Sequence, residues 1–162
     1  MKKILLCLIG LGILIIENSI TNYIGLLGIS VDFLLIFMTI ISLYLDELES
    51  GLIGAFIGIF KDITVGGIFG VNALVYFAIG YIISYLSKKI YKESKITIFT
   101  LILVTTIVSS LITILSSMVV YSNYTTWRLI IKGIVLLPVF NSLAGLILYA
   151  VFDKSILKLK ED

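Results

Sequence analysis

The chain contains no histidine, one cysteine and one proline. Without histidine it lacks the side chain that most often serves as a general base or a metal ligand near neutral pH. The lone Cys7 lies in the first apolar run and excludes an intramolecular disulfide, so nothing about redox compartment follows from it. There is no Gly-x-Ser-x-Gly elbow, no thiol pair, no zinc-ligand spacing and no phosphate-binding glycine loop with its lysine and hydroxyl. These absences argue against an enzyme and leave no cofactor or metal to expect. Charge is also scarce, at 14% of residues against 60% hydrophobic. With a mean hydropathy of +1.19 the chain falls far outside soluble globular domains. What remains is a polytopic membrane protein, all-α, with residues 1–162 forming a single integral membrane domain.

A spanning helix needs about 20 mostly apolar residues. Runs of that order suggest six transmembrane helices, over about 4–24, 30–45, 50–65, 72–87, 96–121 and 129–152. An acidic turn, Asp46-Glu47-Leu48-Glu49, separates the second from the third. Lys2-Lys3 followed by an apolar run resembles a signal peptide, but no small-residue cleavage site follows and Glu17-Asn18-Ser19 comes next, which favours a retained helix. An even number of crossings puts Lys2, Lys3, the loop lysines Lys88, Lys89, Lys92 and Lys95, and the tail lysines Lys154, Lys158 and Lys160 on one side. By the positive-inside rule that side is the cytoplasm, giving N-in/C-in, with Arg128 and Lys132 toward the outer side. The basic tail is either solvated or laid on the anionic inner leaflet. The tyrosines Tyr23, Tyr44, Tyr121 and Tyr124 fit interfacial belts.

The stretch from Gly54 to Leu74, GAFIGIFKDITVGGIFGVNAL, is the exception to this apolar pattern. If the third helix enters at Gly51, a rise of 1.5 Å per residue puts Lys61 and Asp62 about 15 Å deep. Charges at that depth require a protein interior, a partner or water. Adjacent helical residues diverge by about 100°, so Lys61 and Asp62 need not pair with each other and each can find a partner on another helix. Glu17, Asp32, Arg128 and Lys132 are placed to serve, and with Lys61 and Asp62 they give three acids and three bases. Such a set either marks a functional site or holds the helices in register as an internal ion-pair network. Gly51, Gly54 and Gly58 lie at spacings of three and four, the small-residue pattern that admits close helix approach. That face is a candidate seat for a partner's transmembrane helix, or it packs against the protein's own helices. Gly66, Gly67 and Gly70 predict a break or tight re-entrant turn between the third and fourth helices, with Asn72 capping the fourth or bonding the turn. On the fifth helix, the hydroxyls from Val104 to Ser117 return bonds to their own helix or a neighbour, or line a groove. Pro138 with Asn141 suggests a kink in the sixth with a polar group nearby.

The run of acidic turn, glycine-spaced helix, Asp62 and Gly70-Val71-Asn72-Ala73-Leu74, followed by the aromatic helix VYFAIGYIISYL and a basic loop, resembles the MreD family. These are small integral membrane components of the bacterial rod-shape apparatus. Val31-Asp32-Phe33-Leu34 keeps the aspartate of that family's second helix and lacks its proline. The resemblance implies a non-enzymatic scaffold in the bacterial cytoplasmic membrane. It implies binding to a single-span MreC-like protein, near MreB, RodA and its penicillin-binding partner, and a role in lateral peptidoglycan synthesis and cell shape.

The same elements are similar to the substrate-binding S components of energy-coupling-factor vitamin transporters, whose six-helix membrane fold the MreD family is thought to share. That alternative would make Glu17, Asp32, Asp62, Asn72 and Lys132 the lining of a vitamin pocket. Against it, the first helix lacks the Ala-x-x-x-Ala pattern with which S components dock their energising unit.

Overall fold

The computed structural model describes residues 2–21, 31–65, 68–91, 94–121 and 130–157. Among these residues the chain is helical, with α1 at Lys2–Thr21, α2 at Phe33–Ser42, α3 at Glu47–Val65, α4 at Val71–Ser87, α5 at Lys95–Tyr121 and α6 at Leu137–Leu157. A π-helical segment, Lys132–Leu136, runs directly into α6. Two stretches are long and apolar enough by themselves to cross a membrane, Lys95–Ser116 and Lys132–Ala150. Large apolar side chains face outward along α1, α3 and α4 as well, among them Leu5, Leu8, Ile16, Leu52, Ile63 and Leu74.

Close approach organises the packing. α3 and α4 run antiparallel with their backbones almost touching. A Cβ placed on Gly58 would lie 2.7 Å from the Ala73 nitrogen and the Asn72 carbonyl oxygen, and one on Gly80 would lie 2.7 Å from the Ser50 carbonyl oxygen. Gly54 faces the Tyr76 backbone and Gly51 the Phe77 ring. The small-residue face of α3 is thus occupied by α4 of the same chain. No room is left there for a partner's helix, because even a methyl group meets backbone. On the other side of the molecule α5 packs along α6, where Gly145 admits Ile102 and Ile36.

Between these two pairs lies α2, and its length differs from the span expected over 30–45. At ten residues it covers about 15 Å, half of a bilayer's hydrocarbon. Asp32 starts it by accepting the Leu35 N–H at 2.8 Å, and a tight turn leads straight into α3. Leu34, Leu35, Ile36, Met38 and Leu43 are all fully buried. α2 is therefore a central plug, enclosed on every side, and the core of α1, α3, α4, α5 and α6 forms around it.

Two further boundaries have clear causes. α3 begins at Glu47, within the segment expected as a turn, because Asp46 accepts the first helical N–H, from Ser50, and Glu47 and Glu49 favour the positive end of the helix. The π-helical segment precedes Pro138, which has no N–H to offer residue 134 and whose ring would crowd that carbonyl. The chain widens the turn, and Leu137 bonds the Lys132 carbonyl five residues back.

Candidate functional site

The polar residues of the apolar stretch gather at the N-terminal ends of two helices. The first four N–H groups of any helix lack an intrahelical partner. At α2 those donors are met by side chains from three elements. Asn141 on α6 accepts the Asp32 N–H at 3.0 Å, Glu17 on α1 accepts the Leu34 N–H at 2.9 Å, and Asp32 accepts that of Leu35. Two carboxylates thus sit at the N-terminal end of α2 and accept its free N–H groups.

Lys61 joins them from α3. Its Nζ lies 2.7 Å from Asp32 Oδ2, 3.2 Å from Glu17 Oε1 and 2.7 Å from the Tyr76 hydroxyl oxygen. The Tyr76 hydroxyl in turn points to Asp32, at 3.3 Å from Oδ1. All three donors of the ammonium are used, on acceptors from α1, α2 and α4. Glu17, Lys61 and Tyr76 are buried. A cation held between two carboxylates would occupy the place that Lys61 fills. Among the described residues no cluster of three or more His, Cys, Asp or Glu is arranged to hold a metal.

Asp62 does not join this cluster. It turns the other way and caps α4 from outside that helix. One carboxylate oxygen accepts the N–H groups of Gly70 at 3.0 Å and Ala73 at 3.1 Å, and the other accepts the backbone and side-chain N–H of Asn72 at 3.0 and 2.9 Å. Gly70 makes this possible, with φ of 97°, a left-handed conformation that favours glycine. The sequence leaves Asn72 either capping α4 or bonding the turn; its backbone and side-chain N–H groups donate to Asp62, because the capping acceptor comes from α3. Lys132 stands on the π-helical segment and has an interaction of its own. Arg128, Gly66 and Gly67 lie outside the described residues, as do Lys92, Lys158, Lys160, Tyr23 and Tyr124.

The network continues past the expected set. Asn141 is fully buried and passes a bond from its amide to Thr106 on α5 at 3.2 Å. Thr105 lies 3.2 Å from Thr39 on α2, and both Thr105 and Thr106 also bond the Ile102 carbonyl. Tyr76 escaped the sequence analysis, Thr105 and Thr106 entered it only among the hydroxyls of α5 that bond their own helix or a neighbour, and Asn141 only as a neighbour of Pro138. A Tyr in the aromatic run of α4 looks like any other packing residue, although a buried hydroxyl always needs a partner. Among the described residues no buried side-chain nitrogen or oxygen is left without a hydrogen bond. Glu17, Asp32, Asp62 and Asn72, the proposed lining of a vitamin pocket, thus have their polar groups turned onto one another and onto backbone.

A model of the family described as rod shape-determining protein MreD matches residues 1–154. The chain belongs to the MreD family. No curated protein and no solved structure matches it. Within the stretch that carries the likeness to MreD, residues 51–74, Asp62, Gly70 and Asn72 act together: an aspartate reaching across, a left-handed glycine, and an asparagine that holds the aspartate in place. MreD membership gives the chain a part in rod-shape determination and places it among membrane proteins.

At the far end of the bundle the charges are of another kind. Lys88 donates to Glu47 at 2.5 Å, and Lys3 pairs with Glu49. The hydrogen bond from Lys88 holds the Glu47 carboxyl below its usual range, and Glu47 raises the Lys88 ammonium above its own.

Proposed function

We propose that this protein is a non-enzymatic, multi-pass scaffold of the bacterial cytoplasmic membrane, with six membrane-embedded helices and both termini inside. In this role it binds a single-span MreC-like protein and, near RodA, its penicillin-binding partner and MreB, helps organise lateral peptidoglycan synthesis. The observation that carries the reading is the closure of its polar cluster. Lys61, Glu17, Asp32 and Tyr76 spend their bonding capacity on four different helices of the same chain. Such a cluster fixes helices relative to one another, and what the molecule then offers its surroundings is the outer surface of those helices. Family membership supplies the shape-determining context.

The test is purification of the tagged protein from its native membrane in mild detergent, with mass spectrometry of whatever accompanies it. The reading predicts a single-span MreC-like protein together with wall synthases. A transporter energising unit or a bound vitamin would overturn it.

A further inference from the structure

A groove of about 300 Å³ runs between α1 and α3 on the outer surface, lined by Lys3, Ile4, Cys7, Leu8, Leu11 and Phe56. Five of the six are apolar or weakly polar, and Ile4, Leu8 and Phe56 are exposed. From Lys3 to Leu11 the helical rise is about 12 Å, so the groove runs along α1 with an apolar lining, and the exposed Lys3 borders one end of it. We propose that it binds an anionic phospholipid, with one acyl chain lying between α1 and α3 and the phosphate against the Lys3 ammonium.

Size and charge both select this occupant. An acyl chain is a single file of methylenes and fits a groove of this volume along its length. The charged end lies at the boundary of the apolar zone. Lys3 pairs with Glu49 and Lys88 with Glu47, which brings the start of α1, the start of α3 and the end of α4 to one end of the bundle. Lys89 lies there over the Tyr85 ring at 5.2 Å. An ammonium has three donors. Glu49 takes one from Lys3, whose side chain remains 62% exposed. The first N–H groups of α1, without intrahelical partners, add to the attraction for an anion. Basic side chains at a membrane surface recognise anionic headgroups in this way.

The experiment places a fluorescent reporter in the groove. Phe56→Trp in a Trp127→Phe background is reconstituted into phosphatidylcholine vesicles containing increasing fractions of brominated-acyl phosphatidylglycerol or brominated-acyl phosphatidylcholine. The expected result is half-maximal quenching at an about fivefold lower fraction of the anionic lipid, the size of one lysine–headgroup attraction. Lys3→Gln should abolish the preference while leaving the quenching itself. A reporter at Ile147→Trp, exposed on α6, should show no preference. Equal quenching by both lipids, a preference that survives Lys3→Gln, or the same preference at position 147 would overturn the proposal. So would the absence of quenching by either lipid, which would mean that protein covers the groove.

Discussion

Lys61 is the residue on which the most structure depends, and its energetics are asymmetric. Removing one member of a buried charge set costs about 3–5 kcal/mol because the others stay buried and unpaired, whereas replacing the whole set is often neutral or stabilising. Lys61→Met should therefore lower the thermal stability of the detergent-solubilised protein sharply, by about 3–5 kcal/mol, with Glu17 and Asp32 left facing each other. Adding Glu17→Gln and Asp32→Asn should restore most of the loss, since both amides still accept the Leu34 and Leu35 N–H groups. Melting curves of the single and triple variants decide this, and a triple variant no more stable than Lys61→Met would contradict it. Asp62→Ala strips the acceptor from four N–H donors and should cost at least about 2 kcal/mol by the same assay. A cost well below that would mean that water replaces the cap. At this scale the sequence was informative about which charges need partners, because an ion within an apolar run has so few options. It was silent on which partner each would find. Lys61 and Asp62 are neighbours that face opposite ways, and Tyr76 and Asn141 carry no charge to betray their places.

Among the elements, the pairing of α3 with α4 rests on glycines that cannot be enlarged. Gly58→Ala puts a methyl group against the Ala73 and Asn72 backbone and should destabilise by about 1–3 kcal/mol. Gly12 on α1 is the contrast, since a Cβ there meets nothing within 4 Å. Gly12→Ala should be neutral or stabilise by up to about 1 kcal/mol through helix propensity alone. Parallel chemical or thermal melts of the two variants test the assignment, which fails if they shift alike. The glycine spacing was legible in sequence as a close-packing face, though the identity of the neighbour was not, because spacing reports how near a helix can come and says nothing of whose it is. The shortness of α2 was also hidden. Its apolar run continues to Leu45, and only the capping by Asp32 and the turn after Ser42 show that the helix stops about half-way through a bilayer's thickness. The π-helical opening of α6 follows from Pro138 only once the chain around it is fixed.

For the molecule as a whole, two classes of charge act in different ways. The Glu47–Lys88 pair at the bundle's end is exposed to solvent and screened by salt, so Glu47→Gln should leave the melting temperature within experimental error. What the pair does contribute is present between the two pKa values. It is lost as pH falls through the lowered pKa of Glu47 and again as pH rises through the raised pKa of Lys88. The inner cluster around Lys61 is the one that ties α1, α2, α3 and α4 into a unit and reaches α5 through Asn141 and Thr106. The central claim is that this cluster builds the scaffold and does not itself contact a partner or ligand. The most direct measurement compares, from native membranes, what accompanies the wild-type chain and the triple variant Glu17→Gln, Asp32→Asn, Lys61→Met, each checked for an unchanged melting temperature. The account predicts that a folded, charge-free cluster still brings down the proposed single-span partner in the same amount. Loss of that partner from a variant that melts like wild type would contradict it and make the cluster itself the binding site.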